Sequence, residues 1–269
     1  MQRSLLTVLF AIVAVGLASC APSDVQPKPT AATQPAATAP TITAATAPAA
    51  AKTPEQRAQD YKKSADKRAR EALETLTLGD PAKETKVRDL IVAYIPTLMA
   101  WQDQHAAQIK DLWTQWKKAR SDEKDQSKAD VTMSQIDAVY ATFKPQHDAF
   151  WTNLAAVLSP EQVDKVKDRY TVNKLPVTYK AYLAIFPILT DKQKAFTLAN
   201  LQAAREESLD AATTGEKSDF FKKYKLKIEA QFEREGIDTR KFRQEFSAKQ
   251  KQQAATRKAA SKPATQRGH

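Results

Sequence analysis

The sequence predicts an all-α protein in which one multi-helix domain of about seven helices, two of them long and kinked, follows a linker. Apolar residues between positions 53 and 246 recur at helical spacing, and the alternation of apolar and polar residues typical of strands is nearly absent. The glycines of this segment, Gly79, Gly215 and Gly236, fall where a helical pattern breaks. Roughly 190 residues are enough for one sizeable core. We therefore expect a single helical domain at 53–246.

The chain begins with a segment typical of exported proteins. Arg3 is followed by an apolar run over 5–17 that is too short and wrongly flanked for a membrane span, so we interpret 1–19 as a lipoprotein signal peptide. Its end, LASC at 17–20, resembles the bacterial lipobox, and the resemblance implies that Cys20 is acylated after cleavage. An ordinary secreted protein is the alternative. Since Cys20 is the only cysteine, disulfides and thiolate metal sites are excluded within the chain.

Residues 20–52 form an Ala/Thr/Pro-rich stretch that predicts a disordered linker, because it has too little apolar surface to fold. Two or more acyl chains on Cys20 are sufficient for stable anchoring. Pro22 stands where many lipoproteins retained in the inner membrane have an aspartate. We therefore expect an exported, membrane-anchored lipoprotein, with the outer membrane favoured and a periplasmic or surface-facing orientation left open.

The C-terminal stretch 247–269 carries six basic residues and no acidic one, in a chain of net charge +11. We interpret it as a disordered basic tail. It is either a solubilising end or a contact for anionic lipid, peptidoglycan or acidic polysaccharide. Because the positive charge is concentrated here, the helical domain is only mildly basic, and we expect no nucleic-acid partner.

Helix start signals repeat along the chain. Thr53, Ser159 and Thr190 each precede a glutamine by three residues, which is the arrangement of a capping box. In a capping box the hydroxyl and the glutamine side chain both bond to amides exposed at the helix start. Asp80 before Pro81 marks another start, since proline is favoured in the first helical turn.

Two wide apolar faces, at 87–116 and 136–158, predict the two long helices. Pro96 and Pro145 lie inside these patterns, and we expect them to kink or interrupt the helices. A fixed turn is expected at 171–176. Shorter helices are expected at 160–169, 177–186, 190–212, 216–235 and 238–255.

Polar residues lie at the centres of three apolar faces. His105 and His147 have no other ligand three or four residues away, so neither helix offers a local metal pair and no metal is expected. Both suit a core histidine; alternatively, the two rings line a polar pocket between facing helices. Arg205 lies in the middle of a third face. A buried cation there needs an anion, which Asp168, Glu206 or a ligand could provide.

Aromatic residues allow a carbohydrate-binding interpretation. Tyr179 and Tyr182, beside the expected turn, could stack on sugar rings, whereas the four tryptophans lie on stripes typical of a core. No nucleophile elbow, phosphate loop, HExxH motif or Ser/His/Asp set is recognisable. The residues therefore support no catalytic group and no cofactor, and they leave enzymatic activity open.

An ordered series of motifs over roughly residues 60–240 resembles the bacterial family known as domain of unknown function 3826. The motifs lie at 158–196, 204–211 and 216–238. The resemblance implies a secreted helical protein, proposed to bind sugars and often associated with polysaccharide breakdown. It also implies a set of matching positions, namely His147, Lys167, Asp168, Tyr179, Tyr182, Arg205, Glu206, Lys223, Tyr224 and Lys225. Gln102 and His105 depart from the family pattern, since members tend to have a histidine and an arginine there.

The stretch from Leu189 to Gln193 has a weaker resemblance, to periplasmic stress proteins and chaperones of the LTxxQ type, although helix capping explains it equally well. We expect a lipid-anchored cell-envelope protein with a carbohydrate-binding or polysaccharide-processing accessory role. An LTxxQ-like chaperone and a structural envelope adaptor are the alternatives. The expected ligand-binding residues are His147, Asp168, Tyr179, Tyr182, Arg205 and Glu206.

Overall fold

The computed structural model describes residues 52–121 and 126–260, which contain nine helices. They are α1 (Pro54–Glu74), α2 (Pro81–Ser121), α3 (Gln126–Ala141), α4 (Lys144–Ala155), α5 (Pro160–Tyr170), α6 (Lys174–Ile185), α7 (Asp191–Ser208), α8 (Thr214–Arg234) and α9 (Thr239–Ala260). Neither described range contains a strand, so the all-α prediction is confirmed, with two helices more than the approximate count. The signal peptide at 1–19, Cys20 and the linker up to residue 51 lie outside the described residues.

All three predicted capping boxes are present. The hydroxyls of Thr53, Ser159 and Thr190 accept from the amide three residues later, at 3.2, 3.3 and 3.3 Å. The glutamine side chains accept in return from the three capping amides. At the start of α2, Asp80 Oδ1 accepts from the amide of Ala82 at 2.9 Å. The stretch 189–193 is therefore explained by the start of α7 alone.

The two prolines have different outcomes. Pro145 interrupts the second long pattern as predicted, because α3 ends at Ala141 and Pro145 lies in the first turn of α4, where no amide is needed. Pro96 does not interrupt its helix, since α2 continues through it to Ser121. Buried apolar side chains on both sides of Pro96 keep α2 packed against its neighbours, and this packing outweighs one missing hydrogen bond.

The turn between α5 and α6 is shorter than the stretch 171–176 that was predicted. Val172 and Asn173 have positive φ angles of 56° and 53°, and α6 begins directly after them with Pro176 in its first turn. At the C-terminus, α9 is helical to Ala260, so the expected disordered tail is helical over residues 247–260. The side chains at 247–257 are all exposed.

Two clusters of buried apolar side chains support the helices. The larger is formed by α1 to α5 and includes all four tryptophans, as their core-facing stripes predicted. The smaller is formed by α6 to α9. Helix α8 serves both clusters, since Phe220 belongs to the larger and Phe221 to the smaller. Among the described helices, none combines the length and apolar character needed to cross a bilayer.

Candidate functional site

A cavity of about 480 Å³ opens among α3, α4, α7 and α8, including the connection between the last two. Its wall combines four carboxylates with a lysine, a histidine and two aromatic rings. The lining residues are Asp137, Tyr140, Ala141, Lys144, His147, Glu206, Glu207, Asp210 and Phe220. Of the expected ligand-binding residues, only His147 and Glu206 line this cavity. Its volume falls within the range typical of small-molecule sites.

Asp210, between α7 and α8, organises the inner wall of the cavity. Its carboxylate accepts from the Tyr94 hydroxyl at 2.7 Å and lies 2.8 Å from His147 Nδ1. Its backbone carbonyl accepts from Gln102 Nε2 at 2.7 Å. Because Nδ1–H donates to Asp210, His147 Nε2 carries the lone pair when the ring is neutral. Burial and the neighbouring Asp210 raise the pKa of Tyr94, which stays a hydroxyl donor.

Arg205 lies beside this wall, with 6 % of its side chain exposed. Its guanidinium donates to Asp164 at 2.5 Å, to Asp168 at 3.0 Å and to Glu206 at 3.3 Å. Burial acts to lower the pKa of Arg205, but the hydrogen bonds to Asp168 and Asp164 raise it above its ordinary value. The anionic partner that the sequence required is therefore a set of three carboxylates from α5 and α7, and Asp168 and Arg205 meet as predicted.

Glu206 connects the arginine cluster to the cavity. Its carboxylate accepts from Lys167 Nζ at 2.6 Å, and the same ammonium lies 5.2 Å from the centre of the Trp151 ring. With 40 % of its side chain exposed, Glu206 keeps access to the cavity while Arg205 holds its other oxygen. A ligand in the cavity would therefore contact Glu206 directly and Arg205 only through it.

Glu207, the next residue of α7, also lines the cavity. It accepts from Lys223 Nζ at 2.8 Å and from the Tyr224 hydroxyl at 2.5 Å. Lys223 also donates to Asp137 at 3.2 Å, which ties α8 to α3. Burial, followed by the hydrogen bond to Glu207, raises the pKa of Tyr224. These contacts fix the carboxylates of Asp137 and Glu207 at the rim.

Tyr179 and Tyr182 belong to the second core cluster and do not line the cavity. Tyr182 is 2 % exposed, and its hydroxyl donates to Glu229 at 2.9 Å. Arg243 holds the same carboxylate. Because its ring is fully packed, Tyr182 offers no free face to a sugar. The structure thus separates the two tyrosines from His147 and Glu206, which were expected to share a site with them.

The two histidines were also expected, as an alternative, to line one polar pocket, and among the described residues only His147 lines the cavity. His105 Nδ1 lies 2.9 Å from the carbonyl oxygen of Trp101 in its own helix, where it donates, and His105 is not part of the cavity wall. No three His, Cys, Asp or Glu side chains in the described ranges are placed to hold a metal ion. The cavity therefore offers hydrogen-bond acceptors, a histidine and aromatic surface.

Sequence reasoning missed four polar residues of the wall, Asp137, Lys144, Glu207 and Asp210. Helical spacing could have found some of them, because Asp137, Tyr140, Lys144 and His147 follow one another at intervals of three or four residues. Asp137 and Lys144 themselves lay outside the apolar stripe that was used to assign the core. The assignment of Asp210 needs the fold, since its partners lie 63 or more positions away in the chain.

Comparison with known protein families gives one result of direct relevance. A family model described as "Protein of unknown function (DUF3826)" matches residues 62–252. This match covers α2 to α8 completely, together with most of α1 and part of α9. The comparison with curated proteins gives no match.

Proposed function

The chain belongs to the DUF3826 family, and from that premise and the chemistry of the cavity we propose that it is a carbohydrate-binding protein of the cell envelope. The observation that carries this proposal is the cavity itself, which presents four carboxylates and a histidine beside two aromatic rings. Sugar hydroxyls are donors, and ionised carboxylates are acceptors only, so the two sets are complementary.

The aromatic part of the wall supports the same ligand class. The rings of Tyr140 and Phe220 lie 5.0 Å apart in an edge-to-face arrangement. Phe220 is only 1 % exposed, so the apolar surface open to the C–H face of a sugar ring is that of the partly exposed Tyr140, while the sugar hydroxyls reach the carboxylates. The tyrosine hydroxyl is 3.5 Å from Glu216, and burial raises its pKa, so it remains protonated at neutral pH.

We further propose that Cys20 carries acyl chains that anchor the protein to a membrane, with the outer membrane favoured. The supporting observation is the LASC stretch behind an apolar run. The exposed part of α9 would then contact anionic envelope polymers through basic residues such as Lys249, Lys251 and Arg257. Under this proposal the linker holds the helical domain, and its cavity, away from the membrane surface.

Calorimetric titration of the full chain against a panel of glycans tests the proposal. At least one glycan is expected to bind, and Asp137→Asn and Glu206→Gln are each expected to weaken that binding about tenfold or more, because each removes a charged acceptor. Asp89→Asn is the matched control, since Asp89 is an exposed carboxylate of α2 outside the cavity. It should bind like the wild type.

Two results would contradict the proposal: the absence of binding across the panel, or equal affinity for the wild type and both cavity variants. The chaperone alternative gains support if glycans fail and the protein suppresses aggregation of unfolded clients. Exposed apolar residues on and after α6, namely Val177, Leu183 and Ile188, would be the surface for such clients. Turnover of a bound polysaccharide, lost in His147→Ala with the fold intact, would indicate an enzyme.

A further inference from the structure

A second polar cluster lies outside the cavity, where α8 begins. Lys217, in the first turn of α8, is 7 % exposed. Its ammonium group makes no hydrogen bond or ion pair with any of the described residues. A buried lysine of this kind is unusual, because lysine is almost never this buried without a partner.

Three further donor side chains lie in this part of the fold, and the charges of two of them, Arg68 and Lys174, act on Lys217. Arg68 of α1, also without a hydrogen bond or ion pair among the described side chains, acts to lower the pKa of Lys217 and opposes the rise that burial causes in the pKa of Tyr170. The hydroxyl of Tyr170, at the end of α5, is buried and has no hydrogen-bond partner among the described residues. Lys174, at the start of α6, donates to the hydroxyl of Ser218 at 2.8 Å, next to Lys217.

The electrostatics agree with this arrangement. Burial, with Arg68 and Lys174 acting in the same direction, lowers the pKa of Lys217 to about 8, while Glu216 and Asp210 act in the opposite direction. Neither carboxylate bonds to Lys217, and both have other partners. Asp210 is held by Tyr94 and His147, as described above, and Glu216 accepts from the amide of Ala212 at 2.9 Å.

Three of the four residues are cations, and the Tyr170 phenol is the one group of the four that can also accept a hydrogen bond. A buried donor without an acceptor costs about 1–3 kcal/mol, and more when it is charged. Rearranging the cluster internally cannot neutralise it, because the phenol oxygen is a single uncharged acceptor beside three cations. What the cluster needs is a negatively charged acceptor with several oxygens.

We propose that Arg68, Tyr170, Lys174 and Lys217 form a binding site for one oxyanion group, such as a carboxylate, a sulfate or a phosphate. The anion would accept from the guanidinium, from the phenol and from the two ammonium groups at once. The site is separate from the cavity wall and does not depend on carbohydrate binding there. It joins α1, the α5–α6 turn and α8, so its occupation would also stabilise the fold.

The test uses the full chain with sodium phosphate, sodium sulfate and sodium glucuronate, each compared with sodium chloride of equal ionic strength. Calorimetric titration should show saturable binding of at least one oxyanion, with a rise in Tm of about 2–4 °C near saturation. Preference for phosphate would indicate a phosphorylated ligand, and preference for glucuronate would indicate an acidic sugar.

Sulfate and phosphate salts also stabilise proteins in general, without binding to a specific site. The variant Lys217→Met distinguishes specific binding from this general effect. It should reduce the affinity at least tenfold, and Arg68→Gln should do the same if Lys217→Met fails to fold. Lys227→Met, which removes an exposed charge from the same helix, is the matched control and should bind normally. The proposal is overturned if no oxyanion binds saturably, or if Lys217→Met and Arg68→Gln bind as tightly as the control.

Discussion

Asp210 ties the cavity wall to two helices, since its side chain and carbonyl reach α2 and α4 at once. An asparagine has one acceptor oxygen in place of two. Asp210→Asn would therefore leave either the Tyr94 hydroxyl or His147 Nδ1–H facing an amide group, which is itself a donor.

We expect Asp210→Asn to lower the free energy of unfolding by about 1–3 kcal/mol, because a buried donor loses its acceptor. Urea unfolding followed by circular dichroism measures the change. Asp148→Asn is the control: Asp148 is exposed on α4 and bonds only to Lys144, so its loss should cost less than about 0.5 kcal/mol. Equal effects of the two variants would show that Asp210 does not organise the wall.

Because Lys217 is buried, the free energy of unfolding is expected to depend on pH. The pKa of Lys217 falls from 10.5 to about 8 on folding. Below pH 8 the lysine is charged in both states, and the folded protein bears the full cost of about 3 kcal/mol. Between pH 8 and 10.5 the unfolded chain holds more protons, so this cost disappears as the pH rises.

Lys217→Met should therefore stabilise the protein by up to about 3 kcal/mol at pH 7 in chloride buffer, and by much less at pH 10.5. Urea unfolding of both proteins at the two pH values measures the difference. A difference that does not change with pH would mean that folding does not lower the pKa of Lys217.

Whether the role of a residue could be predicted depended on how far its own sequence neighbourhood sets it apart from other residues of its type. Arg205 was recognised because one cation interrupts an apolar face, and such a cation needs an anion. Asp168 and Glu206 were identified as candidates, whereas Asp164 was missed. Its side chain is 55 % exposed, and nothing in its local sequence distinguishes it from other surface carboxylates.

At the scale of elements, the turn between α5 and α6 contains backbone strain. Val172 adopts φ 56° although its side chain is β-branched, and the residue is 53 % exposed. A β-branched residue is a genuine outlier in the left-handed region, at a cost on the order of 1 kcal/mol or more. Asparagine tolerates this region, and little apolar burial is lost on replacement.

Val172→Asn is accordingly expected to stabilise the protein by about 0.5–1 kcal/mol, which thermal unfolding would report as a rise in Tm of about 1–4 °C. The comparison variant is Val177→Asn, since Val177 is equally apolar and 65 % exposed, but lies within α6. That change should be neutral or slightly destabilising. Stabilisation by both variants would point to removal of exposed apolar surface rather than relief of strain.

Helix starts were predictable, while helix interruptions were only half predictable. The capping boxes at Thr53, Ser159 and Thr190 form within four residues, so the sequence contains all their partners. The effect of a proline depends on what packs on either side of it. Pro96 stays within α2 because the flanking turns are buried, and Pro145 begins α4 because the chain can start a new helix there.

At the scale of the whole molecule, the cavity exists because α8 takes part in two cores. Its side chains at 220 and 221 enter different clusters, and Lys223 on the same helix ties α8 to Asp137 of α3. The cavity wall is thus assembled from four helices and one connection. Periodicity predicts the buried face of each helix, but it contains no information on which faces meet, so the assembly of the wall from four helices could not be predicted.

The last part of α9 is expected to contribute to binding but little to stability. Residues 247–257 are exposed along their whole length, so they contribute little to either core. Deleting 247–269 should therefore leave Tm within about 2 °C of the intact chain. The same deletion removes six positive charges and no negative one.

Binding to a soluble acidic polysaccharide such as alginate should accordingly be lost in the deletion variant. In the intact chain it should weaken steeply between about 0.05 and 0.5 M NaCl, because salt screens exposed charges. A variant with all six basic residues replaced by glutamine keeps the length and should also lose binding. If that variant binds as the wild type does, the contact is not electrostatic. If the deletion lowers Tm by much more than 2 °C, the last part of α9 also supports the folded core.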